Sequence, residues 1–157
     1  MPAKSSTIPI MTIVRDSREQ RPYSFSQWTS IKPVTHKLPA GDYSVAGLEH
    51  RIAIERKSLI DAYGTFGSGR ARFERELARL AEIDFAAVII EASMWQALMY
   101  PPARVQKFTP KCFNRAWICW AQRFGVHFIF CETRDLAQRQ TYLLLERFWR
   151  DVVDGKR

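Results

Sequence analysis

Three charged residues stand in succession at the end of an apolar stretch, in the segment Ile-Glu-Arg-Lys-Ser-Leu-Ile-Asp at residues 54–61. Side chains alternate along a strand, so Glu55 and Lys57 point to one face and Arg56 points to the other. Asp61 follows four residues after the lysine. An acid and a base that converge at the end of a strand could together bind a cation and a phosphate.

A second carboxylate is expected opposite the first. In a hairpin whose four-residue loop begins at Gly47, Asp42 lies directly across from Glu55. Directly opposed Cβ atoms are about 5 Å apart, and carboxylates so close repel each other unless a cation lies between them. Carboxylate, water and phosphate oxygens suit Mg²⁺ or Mn²⁺, whereas zinc would call for histidine or cysteine. The ion could activate a water that attacks phosphorus, and Lys57 could stabilise the phosphate charge.

The same residues also allow a plainer interpretation. Glu-x-Lys tripeptides are common, and Glu55, Arg56, Lys57 and Asp61 could form ordinary ion pairs at a solvated strand end and helix start. The Gly-Asp pair at hairpin distance upstream favours the metal site over this alternative.

Composition favours a polyanionic partner. The chain has 24 Lys and Arg against 16 Asp and Glu, a net charge of +8 and a pI near 9.8. Such a field attracts phosphates and indicates nucleic acid first, although acidic lipid or protein surfaces would also suit it. No apolar run approaches the roughly 20 residues that span a bilayer, and Pro9 interrupts the short apolar stretch near Lys4. We expect an intracellular protein without a signal peptide or membrane segment.

The pattern along the chain predicts an α/β fold with a mixed central β-sheet flanked by helices. Residues 1–9 are predicted to be a flexible arm, and residues 10–153 a single domain. An early antiparallel hairpin leads into alternating helices and strands. The predicted strands are 10–14, 34–38, 43–46, 51–56, 85–90 and a buried strand at 126–130, and the predicted helices are 70 to about 82, 94–99, 110–124 and 133 to about 152.

These motifs resemble the XPF-type nuclease domain of structure-specific DNA endonucleases. The signature of that family is Gly-Asp, a gap, then Glu-Arg-Lys-x-x-x-Asp, and residues 41–42, 55–57 and 61 match every position. An Asp-x-Arg-Glu motif after a strand occurs at 16–19, and a glycine turn before Arg-Phe-x-x-Glu occurs at 69–77. Four motifs in the family's order make the resemblance specific.

The resemblance implies a restriction-endonuclease-like core and metal-dependent cleavage of DNA. It makes Asp42 and Glu55 the primary ligands of Mg²⁺ or Mn²⁺, and Lys57 the catalytic lysine. The supporting residues are Asp16 and Glu19, which would extend the acidic cluster toward a second ion, Arg18 and Arg56, which would contact phosphate or support the acids, and Asp61. From its position, Asp61 would hold Lys57 or Arg56 in place or reach the ion through water.

Further DNA contacts are predicted on two basic segments. Arg70 and Arg72 lie nearest the glycine turn, although arginines on this helix could equally pair with glutamates at helical spacing. The segment 104–111 could contact DNA through Lys107 and Lys111 or could be an ordinary surface connection.

The chain also departs from larger relatives. We expect no room after the last predicted helix for the tandem helix-hairpin-helix module that grips branched DNA, and in this the sequence resembles stand-alone domains of phages and other mobile elements. We expect a cytoplasmic, DNA-associated endonuclease of flap, branched or junction DNA in repair or recombination. The apolar area of Trp120 and Trp149, together with the family's tendency to dimerise through this later part of the chain, suggests a homodimer. The alternatives are a catalytically silent DNA-binding scaffold for a partner nuclease, or a nuclease that acts on RNA.

Overall fold

A computed structural model of the protein describes residues 10–103 and 107–157. The predicted arm at 1–9 and residues 104–106 of the basic segment lie outside this range. No helix among the described residues is long and apolar enough to cross a membrane. The elements are β1 (Ile13–Asp16), β2 (Val34–His36), β3 (Tyr43–Val45), β4 (Ile52–Lys57), α1 (Leu59–Phe66), α2 (Arg70–Ala81), β5 (Phe85–Ile90), α3 (Met94–Met99), α4 (Pro110–Phe124), β6 (His127–Phe130) and α5 (Arg134–Val153).

The six strands form one mixed sheet in the order β2-β1-β3-β4-β5-β6. Strand β3 runs antiparallel to β1 and β4, whereas β4, β5 and β6 are mutually parallel. The mixed sheet predicted from the sequence is therefore confirmed. Tyr43 pairs with Ile54, which is the predicted hairpin register, and one further step along it sets Asp42 opposite Glu55.

Helices cover both faces of the sheet, and the alternation of β4 separates the two cores. On the front face, Ala53 packs with apolar residues of α1, α2, α3 and α4, among them Phe66 and Trp120. On the back face, Ile52 and Ile54 pack against α5 and the connection between β1 and β2. Because successive side chains of a strand point to opposite faces, the charged end of β4 continues this alternation.

Strand β1, predicted at 10–14, is observed at Ile13–Asp16, and three other elements differ from the predictions. The sequence pattern does not predict helix α1, because this helix is short and includes Gly64 and Thr65, which are weak helix formers; Ser58 caps it by accepting a hydrogen bond from the Asp61 N–H. Strand β6, predicted to be buried, is an edge strand, exposed at His127 and half-buried beyond. Strand β2 is shorter than predicted and exposed at the other edge.

The connection between β1 and β2 is fastened to the back face. Phe25 is fully buried in it at a φ of 53°, a left-handed conformation that costs a non-glycine residue about 1–3 kcal/mol. Two hydrogen bonds hold the segment: the Phe25 N–H donates to Gln138 Oε1 at 2.9 Å, and the Tyr23 N–H donates to Tyr43 Oη at 2.7 Å. The connection is thus fixed where it carries Glu19.

The tryptophans do not supply the surface that suggested a homodimer. Trp120 is fully buried and donates its indole N–H to Glu74. Trp149 is half-buried against the back-face core. The homodimer therefore stays a prediction, which sedimentation at micromolar concentration would test.

Candidate active site

Three carboxylates lie side by side on adjacent strands at the front face. The Asp16 N–H donates to the Asp42 carbonyl at 2.8 Å, and the Asp42 N–H donates to the Ile54 carbonyl at 2.8 Å. This pairing places Asp16, Asp42 and Glu55 in a row across β1, β3 and β4. Lys57 follows Glu55 on the same face.

The row of carboxylates forms one wall of a polar cleft of about 600 Å³. Helices α1 and α2 form the opposite wall, and Gly64 and Gly69 are part of its lining. Of the residues predicted from the sequence, seven line this cleft: Asp16, Arg18, Asp42, Glu55, Lys57, Asp61 and Arg72.

Asp42 is held where strand β3 begins. Its Oδ2 accepts the Arg56 N–H at 2.8 Å. The Asp42 side chain thus binds a backbone N–H of β4 beyond the end of the β3–β4 pairing. The preceding Gly41 has a φ of 71°, and a Cβ there would lie 3.1 Å from the Ile54 carbonyl oxygen. Glycine is thus required both by the conformation and by the close approach to β4.

Glu55 and Lys57 form an ion pair in the cleft, with Lys57 Nζ 2.8 Å from Glu55 Oε1. The ammonium also lies 5.1 Å from the centre of the Phe73 ring, a cation–π contact. Burial lowers the pKa of Lys57, but the Glu55 carboxylate outweighs it and the pKa is raised. Lys57 therefore carries its positive charge at neutral pH.

The two neighbouring carboxylates are electrostatically strained. Burial and the negative charge of Glu55 raise the pKa of Asp42 well above its usual range. Burial also raises the pKa of Glu55, although Lys57 opposes the shift. Within the described residues, neither Asp42 Oδ1 nor Glu55 Oε2 receives a hydrogen bond. A cation between them would relieve the repulsion and use the two free oxygens.

Asp16, the third carboxylate, is saturated by Arg18. Its Oδ1 accepts the backbone N–H and the Nε–H of Arg18, and its Oδ2 accepts Arg18 Nη2 and the Leu38 N–H, all at 2.7–3.0 Å. Burial raises the pKa of Asp16, but these hydrogen bonds outweigh it and leave the pKa lowered. To act as the predicted metal ligand, Asp16 would have to leave Arg18.

Glu19 and Arg56 pair with each other away from the cleft. Arg56 Nε lies 3.0 Å from Glu19 Oε2, and both side chains are only 6% exposed. Sequence reasoning placed Glu19 with the metal-binding acids, but strand alternation turns Arg56 to the back face, where the β1–β2 connection brings Glu19 to meet it. Arg56 likewise contacts no part of the cleft with its side chain, so its predicted phosphate contact gives way to a supporting position.

Asp61 lines the cleft but bonds to a different partner than predicted. Its Oδ2 accepts the Ser58 hydroxyl at 2.7 Å, because the start of α1 places both residues in one capping turn. Lys57 pairs with Glu55 instead.

The predicted DNA-contacting residues divide into two groups. Arg72 is exposed in the cleft, as is Arg18. Arg70 lies outside it, 4.9 Å above the Trp120 ring and 3.3 Å from Glu74. Lys107 and Lys111 are exposed and also lie outside the cleft lining.

Two functional candidates were missed in the sequence. Glu76 lines the cleft, accepts the Gly41 N–H at 3.2 Å and adds to the charge that raises the pKa of Glu55; it is the glutamate of the Arg-Phe-x-x-Glu motif. Glu91 lies 3.1 Å from Arg56 Nη1 on the back face. Its only sequence signal is a charge placed directly after the apolar strand β5.

The chain can offer a divalent cation two carboxylates. Across residues 10–103 and 107–157, no group of three or more His, Cys, Asp or Glu side chains is arranged to hold a metal ion. Asp42 and Glu55 fit the usual environment of Mg²⁺, which takes one or two carboxylates and completes its shell with water and substrate phosphate.

The sequence matches the model of the ERCC4 domain over residues 15–144. The chain belongs to the ERCC4-domain family. Members of this family are generally DNA nucleases that depend on divalent metal ions. No curated protein matches the chain.

Solved structures show the same fold. The chain is similar to XPF from Aeropyrum pernix, at 20% identity and a TM-score of 0.70, over 92% of this chain and 68% of that one. It is also similar to XPF from Aeropyrum pernix in complex with DNA, at 21% identity and a TM-score of 0.66, over 92% and 66% of the two chains. The restriction-endonuclease-like fold expected from the sequence is confirmed. The chain spans about two thirds of the length of these proteins.

Proposed function

We propose that this ERCC4-domain protein is a Mg²⁺- or Mn²⁺-dependent endonuclease that hydrolyses phosphodiester bonds in DNA. One observation carries the proposal: two carboxylates with free oxygens and a charged lysine meet in one open, polar cleft. Both free oxygens belong to residues that line the open cleft, where an ion or a phosphate ligand can reach them.

Asp42 and Glu55 are the residues that would hold the ion. When bound, Mg²⁺ or Mn²⁺ would place positive charge against the phosphodiester and lower the pKa of an attacking water. Gly41 and the Arg56 N–H fix the Asp42 carboxylate in the cleft, so that its orientation is set before any ligand arrives. Preorganised charge of this kind needs no reorganisation during the reaction.

Lys57 would stabilise the negative charge that grows on the phosphate. Its ammonium is held between Glu55 and the Phe73 ring, and its raised pKa keeps it charged. Arg18 and Arg72 line the same cleft and could contact the neighbouring phosphates of a strand.

We propose flap, fork or junction DNA as the preferred substrate. The net charge of +8 suits a nucleic acid, and a structurally similar XPF has been solved with DNA. The cleft at the end of β4 is open, so a DNA backbone could enter it at a point where the duplex is interrupted. Such an activity would serve DNA repair or recombination.

Cleavage of labelled DNA tests the proposal. Linear, flap, fork and four-way substrates are incubated with Mg²⁺ or Mn²⁺ and with wild type, Glu55→Gln, Lys57→Met or the surface control Glu146→Gln. We expect wild type and Glu146→Gln to cut equally, whereas Glu55→Gln and Lys57→Met lose about 10²–10³-fold in rate. Cutting that is absent in wild type, or equal in all four proteins, would refute the proposal. Salt-sensitive binding without cutting would instead support the scaffold alternative.

A further inference from the structure

A buried network of charges lies behind the cleft, on the back face of the sheet. Arg56 meets Glu19 at 3.0 Å and Glu91 at 3.1 Å, and Arg134 meets Glu91 at 2.9 Å. The side chains of Arg56, Glu19 and Glu91 are 6–9% exposed. None of the three lines the cleft, so the network cannot act on a substrate directly.

Arg56 connects this network to the cleft, because its two ends lie on different sides of the sheet. Its backbone N–H donates to Asp42 Oδ2 at the front, while its guanidinium is bound at the back. The contacts behind the sheet therefore help to fix the residue whose amide orients Asp42. The Arg56 Nη1 is buried and faces Glu91 Oε1 without hydrogen-bond alignment, so the contact with Glu91 is held by charge.

Glu91 is the residue on which most of these contacts converge. Its Oε1 accepts the Tyr23 hydroxyl at 3.0 Å and Arg134 Nη1 at 2.9 Å, beside Arg56 Nη1. Its backbone N–H also donates to the Lys57 carbonyl at 2.8 Å. Glu91 thus contacts both the residue that orients Asp42 and the backbone of Lys57.

We infer that Glu91 is a positioning residue that holds Arg56, and through its backbone N–H the Asp42 carboxylate, in the arrangement that binds the metal ion. The inference rests on the proposed function for its catalytic consequence but not for its structural one. Neutralising Glu91 leaves two arginines around an uncharged group and loosens the charge contact with Arg56. Residues that orient metal ligands in this way typically change metal affinity or activity about 10–100-fold when mutated.

The chain offers a matched control. Glu146 Oε1, on the exposed side of α5, also accepts a tyrosine hydroxyl and an arginine, Tyr142 at 3.2 Å and Arg150 at 2.9 Å. Glu91→Gln and the milder Tyr23→Phe are therefore compared with Glu146→Gln and Tyr142→Phe. In each pair, Glu→Gln removes one carboxylate charge and Tyr→Phe removes one hydroxyl donor, once in the buried network and once on the exposed side of α5.

The first measurement is hydrogen exchange of the Arg56 amide in full-length protein without metal or DNA. We expect Glu91→Gln to lower its protection more than that of the neighbouring Ile54 amide, Tyr23→Phe to do so less, and both controls to match wild type. Unchanged relative protection of Arg56 in folded Glu91→Gln, or in Tyr23→Phe where Glu91→Gln does not fold, would overturn the inference. This result does not depend on whether the protein cuts DNA.

The second measurement compares Mn²⁺ affinity by calorimetry, DNA affinity and the rate of cleavage. A positioning role predicts that Glu91→Gln loses about 10–100-fold in Mn²⁺ affinity or cleavage rate, with DNA affinity and the folded fraction unchanged. A parallel loss of DNA affinity and folded fraction would assign Glu91 a purely structural role and overturn the inference. If Glu91→Gln lowers the protection of the Arg56 amide but wild type neither binds Mn²⁺ nor cuts DNA, the proposed function alone is refuted.

Discussion

Glu55 and Arg56, consecutive residues of β4, lie on opposite faces of the sheet, and the charges around them are balanced differently. On the front, Asp42 and Glu55 each keep an oxygen without a hydrogen bond from the described residues, and Lys57 pairs with Glu55. On the back, Arg56 lies between Glu19 and Glu91. The chain therefore pairs its charges behind the sheet and leaves them underpaired in the cleft.

The pKa directions of the acids express the same difference. Burial raises the pKa of Glu19, but the hydrogen bonds from Arg56 outweigh burial and leave the pKa lowered. Burial and Glu55 raise the pKa of Asp42. Two buried carboxylates near one another thus differ because only one has an arginine partner. The acids behind the sheet are balanced by arginines of the chain, whereas the acids in the cleft carry the charge that the proposed cation would balance.

The largest effect is expected from breaking the paired face. Arg56→Met leaves the carboxylates of Glu19 and Glu91 buried with less positive charge, and removing one partner of a buried ion pair costs about 3–5 kcal/mol. Urea denaturation would measure this loss of unfolding free energy. Arg150→Met is the control, because Arg150 pairs with Glu146 on the exposed side of α5 and exposed pairs contribute about 0–1 kcal/mol. Equal losses in both variants would remove the distinction between the two faces.

A smaller effect on stability is expected when Mn²⁺ is added to the underpaired acids, Asp42 and Glu55. An ion that binds the folded protein and not the unfolded chain adds about 2.7 kcal/mol at 100 times its dissociation constant. We expect Mn²⁺ to raise the unfolding free energy of wild type toward this value and to leave Asp42→Asn unchanged. Denaturation with and without Mn²⁺ at constant ionic strength measures it. The same rise in both proteins would locate the ion elsewhere.

The sequence predicts the front face better than the back. Strand alternation and the hairpin count are local rules, so the order of residues along the chain is enough to place Asp42, Glu55 and Lys57 together. Strand β5 and helix α4 are also predicted with their observed bounds, because a continuous apolar run and a Thr-Pro start are local signals. Interactions within one segment of the chain can thus be predicted from the sequence.

The back face depends on contacts between segments far apart in the chain. Glu19 meets Arg56 because a long connection folds over α5, and Glu91 meets Arg134 across 43 residues. Neither the periodicity nor the residue spacing of the sequence predicts such long-range contacts. The saturation of Asp16 is equally hidden, since it needs the Leu38 N–H from beyond that same connection. Pattern alone therefore assigns Asp16 and Glu19 to the metal site, whereas in the structure each carboxylate is bound by an arginine.

The smallest effect separates electrostatic strain from function at a single residue. Asp42→Asn keeps an oxygen that accepts the Arg56 N–H but removes the negative charge opposite Glu55. Because directly opposed like charges destabilise a strand pair, and such pairs contribute about 0.2–1 kcal/mol, we expect the unfolding free energy in metal-free buffer to rise by that amount. DNA cleavage should nevertheless be lost, since one of the two carboxylates for the ion is gone. Urea denaturation and the cleavage assay are run on the same preparation, with Asp84→Asn as the control, because Asp84 pairs with Arg51 at the exposed surface. A variant that is less stable than wild type would show that the Asp42 carboxylate stabilises the fold. A variant that is more stable but inactive would show that this carboxylate costs stability and is needed for cleavage.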